Sequence, residues 1–397
     1  MVLVTRVRIG PLVHGAAQAR AGGYPASMSQ FHIVEARPRT DWVYDSLHAL
    51  EVAVTTELLG EDQSVGADWS RASYSSEVTS IKGLLLALPG EAPADAVAGR
   101  FGLPEAPVTP AEVLGAVEFA MPTRDNLHLM DDVYVQVARK ARRAGLGTAL
   151  WREARRVAAE HGRSATIAWS HHLAGAISAP ERVEPSTGVG HLSVDPGSLF
   201  AQSLGLRLAQ VERESRLSLP VEPGLLATLR AEAEARALPA YEVVSWVGPT
   251  PEEHLERVAE MNRTLSVDAP TGDLDWEEEA WDGERVRVFD ELSHRTGYSV
   301  NTLAIHAATG EVAGFTLIHV HNAYPHRPEQ WNTAVAAAHR GHRLGLLIKA
   351  VNLQELAVTT PEARYVTTWN AGENDHMLGI NTRLGFRLHS VHGAWKA

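Results

Sequence analysis

The sequence predicts a mixed α/β protein built from two tandem copies of one unit. Three observations carry that expectation. A strand-like run, an Arg/Gly loop and an amphipathic helix follow one another at 135–150, and the same order returns at 333–349. Later in each half, at 200–219 and at 374–395, a short helix closed by glycine leads into a strand. The chain of 397 residues is long enough for two domains, each with its own core.

The elements can be justified in order. Residues 1–27 are poorly patterned and read as a disordered extension; Met28 opens the first domain, with a strand at 31–37. A helix follows from Asp41 to Leu59, where Leu47, Leu50, Val54 and Leu58 recur at helical spacing. The apolar run 81–88 is a strand, the Ala/Pro/Gly-rich piece 89–110 a loop, and 113–121 and 127–138 a strand pair. The helix after the first Arg/Gly loop ends at Gly162, and 165–169 is a strand. Residues 28–219 form the first domain, 220–240 a Pro-bounded linker helix, and 241–397 the second domain. There, 241–247 is a strand, and Thr250-Pro251-Glu252-Glu253 predicts a helix start with a capping box. Strands at 303–306, 311–321, 332–338, 364–370 and 386–395 alternate with helices at 346–356 and 374–384.

Composition narrows the function classes. Hydrophobic residues make up 45% and charged residues 21%, the profile of a folded soluble chain. A formal net charge of −12 argues against nucleic-acid or anionic-membrane partners. The absence of cysteine excludes disulfides, thiol nucleophiles and thiolate metal sites, and fits a cytoplasmic location. No apolar run has the length of a bilayer span.

The loops Arg142-Arg143-Ala144-Gly145-Leu146-Gly147-Thr148 and Arg340-Gly341-His342-Arg343-Leu344-Gly345-Leu346 each join a strand to a helix. Such a junction presents unpaired N–H groups at the positive end of a helix dipole, which suits a phosphate or diphosphate. Simple packing is the alternative, but four arginines over two loops must stay solvated or find anions.

Both halves resemble the GNAT superfamily of acyl-CoA-dependent N-acyltransferases, in the tandem arrangement common in actinobacteria and seen in mycothiol synthase. The first loop matches the family's Arg/Gln-x-x-Gly-x-Gly/Ala signature in full, whereas the second carries Arg343 at its first glycine position. The stretch from Asn374 to Phe386 is similar to the family's closing Asn…Leu-Gly-Phe element. The resemblance implies a split between the fourth and fifth strands that takes the pantetheine arm of acetyl-CoA or another acyl-CoA. It places the backbones of Val135, Val137, Val335 and Ala337 beside that arm, and the loop N–H groups and arginines on the diphosphate.

The same resemblance implies transfer to an amine by direct attack in a ternary complex. The family's leaving-group acid is a tyrosine just before the closing Gly-Phe; here that position holds Asn381 in the second half and Ala201 in the first. Candidate bases are Glu118, Asp131 and Asp132 in the first half, and His319, His321 and Glu329 in the second. His319 and His321 alternate along a strand and share a face, which also fits a plain solvated surface. A His-x-His metal site lacks an evident third ligand, so no metal is expected. The acidic stretch 268–279, with Asp275, can attract a cationic amine or merely start a helix. Trp331 and Trp369 flank the split as an acceptor wall or as core residues.

These residues lead to an N-acetyltransferase acting on a small-molecule amine, a monomer or homodimer whose second half turns over. A chain that binds CoA without catalysis is one alternative, and a protein or peptide N-acetyltransferase another. Acceptor, acyl chain and the active half are not fixed by the sequence.

Overall fold

The computed structural model describes residues 31–36, 40–174 and 181–397, so the expected extension 1–27 lies outside the described residues. In order, the elements are β1 (Phe31–Glu35), α1 (Asp41–Leu59), α2 (Ala67–Tyr74), β2 (Ser80–Pro89), β3 (Gly115–Pro122) and β4 (Leu129–Val137). Then come α3 (Leu146–Glu160), β5 (Ala165–Leu173), the two-residue strands β6 (Arg182–Val183) and β7 (Leu192–Ser193), α4 (Pro196–Ser203) and β8 (Arg207–Ser218). The remainder comprises α5 (Pro223–Ala237), β9 (Tyr241–Val247), α6 (Leu255–Asp268), α7 (Gly283–Ser293), β10 (Gly297–His306) and β11 (Val312–His321). It closes with β12 (Glu329–Val335), α8 (Leu344–Thr359), β13 (Tyr365–Ala371), α9 (Asp375–Leu384) and β14 (Arg387–Lys396). Among the described residues no helix is long and apolar enough to cross a membrane.

The chain divides into two compact units whose boundaries differ from the expected cuts at 219 and 241. The N-terminal unit runs through Glu212 and includes Thr271–Asp275 and Ser390–Ala397. The C-terminal unit holds Arg213–Pro270 and Trp276–His389. In the N-terminal unit the strand order is β1-β2-β3-β4-β5-β14, and β14 pairs antiparallel with β5 from Ser390↔Leu173 to Lys396↔Ile167. In the C-terminal unit it is β9-β10-β11-β12-β13-β8.

The first four strands of each unit pair antiparallel, and the fourth meets the fifth in parallel. That parallel contact, β4 with β5 and β12 with β13, follows from the helix that crosses between them, α3 or α8. The core of the N-terminal unit joins α1 to the sheet through Val43, Leu47, Leu50 and Val54 against Leu84, Leu86 and Leu88. In the C-terminal unit α5 is no mere connector. Its Leu226, Leu229, Ala233 and Ala237 pack into the same core as Leu347, Ile348 and Val351 of α8.

The capping box expected at Thr250–Glu253 does not form. Thr250 spends its N–H on Asp290 Oδ2 at 2.7 Å, and a single 3-10 turn at Glu252–His254 precedes α6. Proline at 251 sits before that turn rather than inside the helix, so the hydroxyl of Thr250 has no N-terminal amide to accept from. α2 and α7, which the sequence pattern did not show, are both short; α7 is capped by Asp282, whose Oδ1 accepts from Arg285 N at 2.7 Å.

Candidate functional site: two splayed strand pairs and their loops

In both units the parallel contact is brief. β4 and β5 pair at Leu129↔Ala165, Met130↔Thr166 and Val133↔Ala168 and then part, although β4 continues to Val137. β12 and β13 pair only at Glu329↔Thr367 and Gln330↔Thr368. A bulge drives the parting in each case. Asp132 and Val133 together face Phe119, with Asp132 at φ 52°, and Trp331 with Asn332 face Leu317. Among the described residues the two strands make no further pairing with each other beyond these points, which is the splayed geometry that the resemblance implies.

The two loops share one backbone despite their different sequences. In the first, Arg143 and Gly145 have φ of 68° and 79°; in the second, Gly341 and Arg343 have 83° and 59°. Each loop thus holds one glycine and one arginine in the left-handed region, with the two exchanged. A left-handed arginine costs about 1–2 kcal/mol, so both loops carry comparable strain. The first intrahelical bonds are Ala149 N–H to Gly145 O and Leu347 N–H to Arg343 O, both 3.0 Å, leaving the preceding amides aimed past the helix end. Glycine at the sixth position lets a neighbouring side chain approach closely. A Cβ on Gly147 would stand 3.1 Å from Phe200 Cζ, and one on Gly345 3.0 Å from Ile380 Cδ1. Around the first loop lies a cavity of about 220 Å³, lined by Val137, Arg143, Gly145, Thr148 and Ser203 among others.

The arginines are employed differently from the expectation. Arg142 forks both guanidinium nitrogens onto Glu57 at 2.9 Å and gives Nε to Val137 O. Arg340 repeats the device with Asp268 at 2.5 Å and Val335 O at 3.3 Å. Arg343 pairs with Glu232 of α5, which Arg383 also engages at 2.6 Å. These side chains brace the loops, and Arg143, Arg340 and Arg343 are exposed at their rims.

The C-terminal unit brings four predicted residues together at the mouth of its split. Trp331 Nε1 donates to Glu329 Oε2 at 2.9 Å, and His321 Nε2 lies 3.4 Å from the same oxygen. His319, opposite Glu329 in the β11–β12 register, stacks on Trp331 with centroids 4.2 Å apart and meets the His321 ring at 4.5 Å. Burial pushes the Glu329 carboxyl up, but the charge and hydrogen bond of His321, the Trp331 N–H and Arg327 together hold it below its ordinary value. His319 is fully buried, and burial, aided by His321 and His294, keeps its imidazole well below the usual range and neutral at pH 7.

Other predicted residues are placed elsewhere. Asn381 is buried with its Nδ2 on Asn370 Oδ1 at 2.7 Å. Its Oδ1 has no hydrogen-bond partner among the described residues. Trp369 is half-buried on β13 beside Asn370, and Asn374 caps α9 by accepting from Met377 N at 3.2 Å. Asp275 does not join Glu329. It belongs to the N-terminal unit, with Oδ1 on Lys396 Nζ at 2.8 Å and its carbonyl on His128 Nε2 at 2.9 Å. Glu118 is buried and accepts from Tyr74 OH at 2.8 Å, and Asp131 accepts from the Asp132 amide at 2.7 Å. Near the N-terminal bulge, Glu118 thus meets a phenol and Asp131 a main-chain amide, where Glu329 meets the imidazole of His321. Sequence reasoning ended β5 at 169 and so passed over His171 and His172, whose burial marks them as part of the strand.

No protein-family model matches the sequence, and no curated protein does. Solved structures do. A tandem GNAT protein from the clavulanic acid biosynthesis pathway is 23% identical, with 93% of this chain and 98% of that one covered at a TM-score of 0.67. Saccharomyces cerevisiae N-myristoyltransferase with bound myristoyl-CoA is 9% identical over 100% of this chain and 91% of that one, TM-score 0.52. The GCN5-related glucosamine N-acetyltransferase region of a fungal β-N-acetylglucosaminidase is 14% identical over 93% of this chain and 38% of that one, TM-score 0.56. The chain has the tandem GNAT fold.

Proposed function

We propose that the protein is an acyl-CoA-dependent N-acyltransferase, using acetyl-CoA to acylate the amine of a small molecule. The observation that carries this reading is the coincidence, in each unit, of a splayed strand pair with a left-handed loop opening a helix. An extended thiol arm can pair with the outer backbone of β4 or β12, Val135 and Val137 or Val335 included, while its diphosphate rests on the loop amides of Gly145–Thr148 or Arg343–Leu346. The likeness to tandem GNAT structures supports it.

Transfer is assigned to the C-terminal unit, because its bulge carries a carboxylate, Glu329, backed by the imidazole of His321. A neutral amine attacks the thioester carbonyl; the C–N bond forms and the C–S bond breaks. Glu329, ionised and partly exposed, accepts the amine proton through a water, and His321 and Trp331 hold it in place. The Asn381 amide is no acid, and one of its two Nδ2 hydrogens is committed to Asn370, so solvent supplies the proton to the departing thiolate. That commitment also favours a second reading, a CoA-binding protein without turnover. Thiol release measured over an amine panel separates the two: amine-dependent release supports transfer, whereas saturable CoA binding with no release from any amine or peptide refutes it.

A further inference from the structure

The N-terminal unit contains a relay that the reading above does not use. Ser170 and His172 lie on one face of β5, and Ser170 Oγ is 2.7 Å from His172 Nε2. His172 Nδ1 is 2.5 Å from Asp195 Oδ2. Asp195 is itself fixed: it caps α4, its Oδ1 accepting from Ser198 N at 3.0 Å, and Ser193 Oγ donates to Oδ2 at 3.3 Å.

Proton accounting gives the direction of the chain. Trp395 Nε1, which can only donate, gives its hydrogen to Ser170 Oγ at 2.7 Å. In the tautomer of His172 whose Nδ1–H points at the Asp195 carboxylate, Nε2 is the acceptor and takes the one Ser170 proton. One lone pair of Ser170 Oγ is left over. Ser170 lines a narrow apolar cavity of about 30 Å³ formed by Val133, Val135, Ala168, Phe200, Ala201 and Leu204. Trp169-Ser170 stands where the C-terminal unit has Trp369-Asn370, and Ala201 where it has Asn381. Asn370 is covered by the Asn381 amide, whereas the methyl of Ala201 cannot cover Ser170 in the same way. Opposite Ser170, Gly393 keeps the space open, since a Cβ there would sit 2.8 Å from Trp395 Nε1 and 3.0 Å from Ser170 Oγ.

We propose that Ser170, His172 and Asp195 form a nucleophile relay that accepts a short acyl group from a thioester. Ser170 Oγ attacks the thioester carbonyl as its proton passes to His172 Nε2; the C–O bond forms, the C–S bond breaks, and the thiolate takes that proton to leave as a thiol. Water then attacks the ester, passing a proton through His172 back to Ser170 Oγ, and the acid is released. The cavity limits the acyl group to about the size of acetyl. The inference rests on the acyl-CoA reading only for the natural donor.

The full-length protein is incubated with acetyl-CoA and, separately, with S-acetyl-N-acetylcysteamine, quenched in acid and mapped by peptide mass. One acetyl group on Ser170 is expected, absent in Ser170→Ala, with acylation slowed by roughly 10²–10⁴-fold in His172→Gln and Asp195→Asn. Should Ser170→Ala fail to fold, Ser170→Cys retains the relay and takes the acetyl group on sulfur. Absence of acetyl from residue 170 with both donors, or unchanged acylation in His172→Gln, overturns the relay. Calorimetry with CoA keeps the two readings apart. CoA binding without acylation leaves the acyl-CoA reading intact, and acylation by the small thioester without CoA binding leaves only the relay.

Discussion

Lys349 allows a stability prediction to be worked through from the structure. It lies on α8 within the C-terminal core, 1% exposed, with Nζ 5.4 Å from the centroid of the Phe386 ring. Burial lowers its pKa from 10.5 to about 7. The folded state therefore holds this proton less tightly than the unfolded chain. The penalty is full below pH 7, shrinks as pH rises from about 7 to about 10.5, and vanishes above that. At about 1.4 kcal/mol per pKa unit it amounts to roughly 4 kcal/mol at neutral pH, a large share of a typical domain's stability. Lys349→Met keeps most of the buried stem and removes the charge. Urea unfolding of both proteins from pH 6 to 10, followed through the C-terminal unit, should show the variant more stable by several kcal/mol at pH 7. The gap should close at up to ~1.4 kcal/mol per pH unit toward pH 10. Parallel pH profiles would refute the argument, because only titration of this residue can make the two curves converge.

Three further outcomes follow from the site and the units. Glu329→Gln keeps an acceptor for Trp331 but not a base, so amine-dependent turnover should fall by roughly 10²–10⁴-fold with CoA affinity nearly unchanged, and an unchanged rate would count against Glu329; because the carboxyl lies below its ordinary value of 4.5, any acid limb above that pH reports protonation of the amine and should persist in the variant. Gly145→Glu and Gly345→Glu should each remove CoA binding from their own unit; a carboxylate ~6 Å from one phosphate charge costs about 3 kcal/mol at an effective dielectric near 20, and calorimetric stoichiometry unchanged in both would reject the loops as the diphosphate site. A fragment ending at Leu219 lacks the Ser390–Ala397 segment, in which Val391, Ala394 and Trp395 are at most 3% exposed. Losing roughly 4 kcal/mol of burial, it should melt without cooperativity by circular dichroism, and a sharp transition at the full-length temperature would contradict the unit boundaries.

What could be read from the sequence was local. α1 spans 41–59 as its apolar spacing and Gly60 dictate, and Gly162 and Gly385 end α3 and α9 because the left-handed turn is cheapest there. The alternation of His319 and His321 was enough to put both rings on one face. What escaped was set by distant partners. The partner of Arg142, Glu57, lies 85 residues earlier and has no trace in the local pattern. Asp275 reads as part of the second half until Lys396, 121 residues on, claims it for the other unit. The pairing of Ser390–Lys396 with β5 has no local signature, and α7 has few apolar residues to betray a helix. The relay escaped through a boundary error, since a strand ended at 169 leaves Ser170 and His172 in a loop.

The second loop shows why matching residues one by one undervalues a backbone motif. Arg343 breaks the consensus where glycine is expected, yet its φ of 59° matches the 79° of Gly145, and Gly341 takes the left-handed place that Arg143 fills in the first loop. What the motif encodes is a pair of left-handed residues ahead of a helix, and glycine is the usual route rather than the requirement. Each arginine held there needs something to offset its strain. For Arg343 that is Glu232 of α5, which reaches both it and Arg383. This gives α5 a reason to be in the core rather than a tether outside it. The helix that the sequence marks as a linker holds the second loop in the shape the first achieves with Gly145. Severing α5 from the C-terminal unit should therefore free the second loop directly, through loss of the Glu232 contacts, and reach the Glu329–His321 pair only through the core that α5 shares with Ile318 and Val320 of β11.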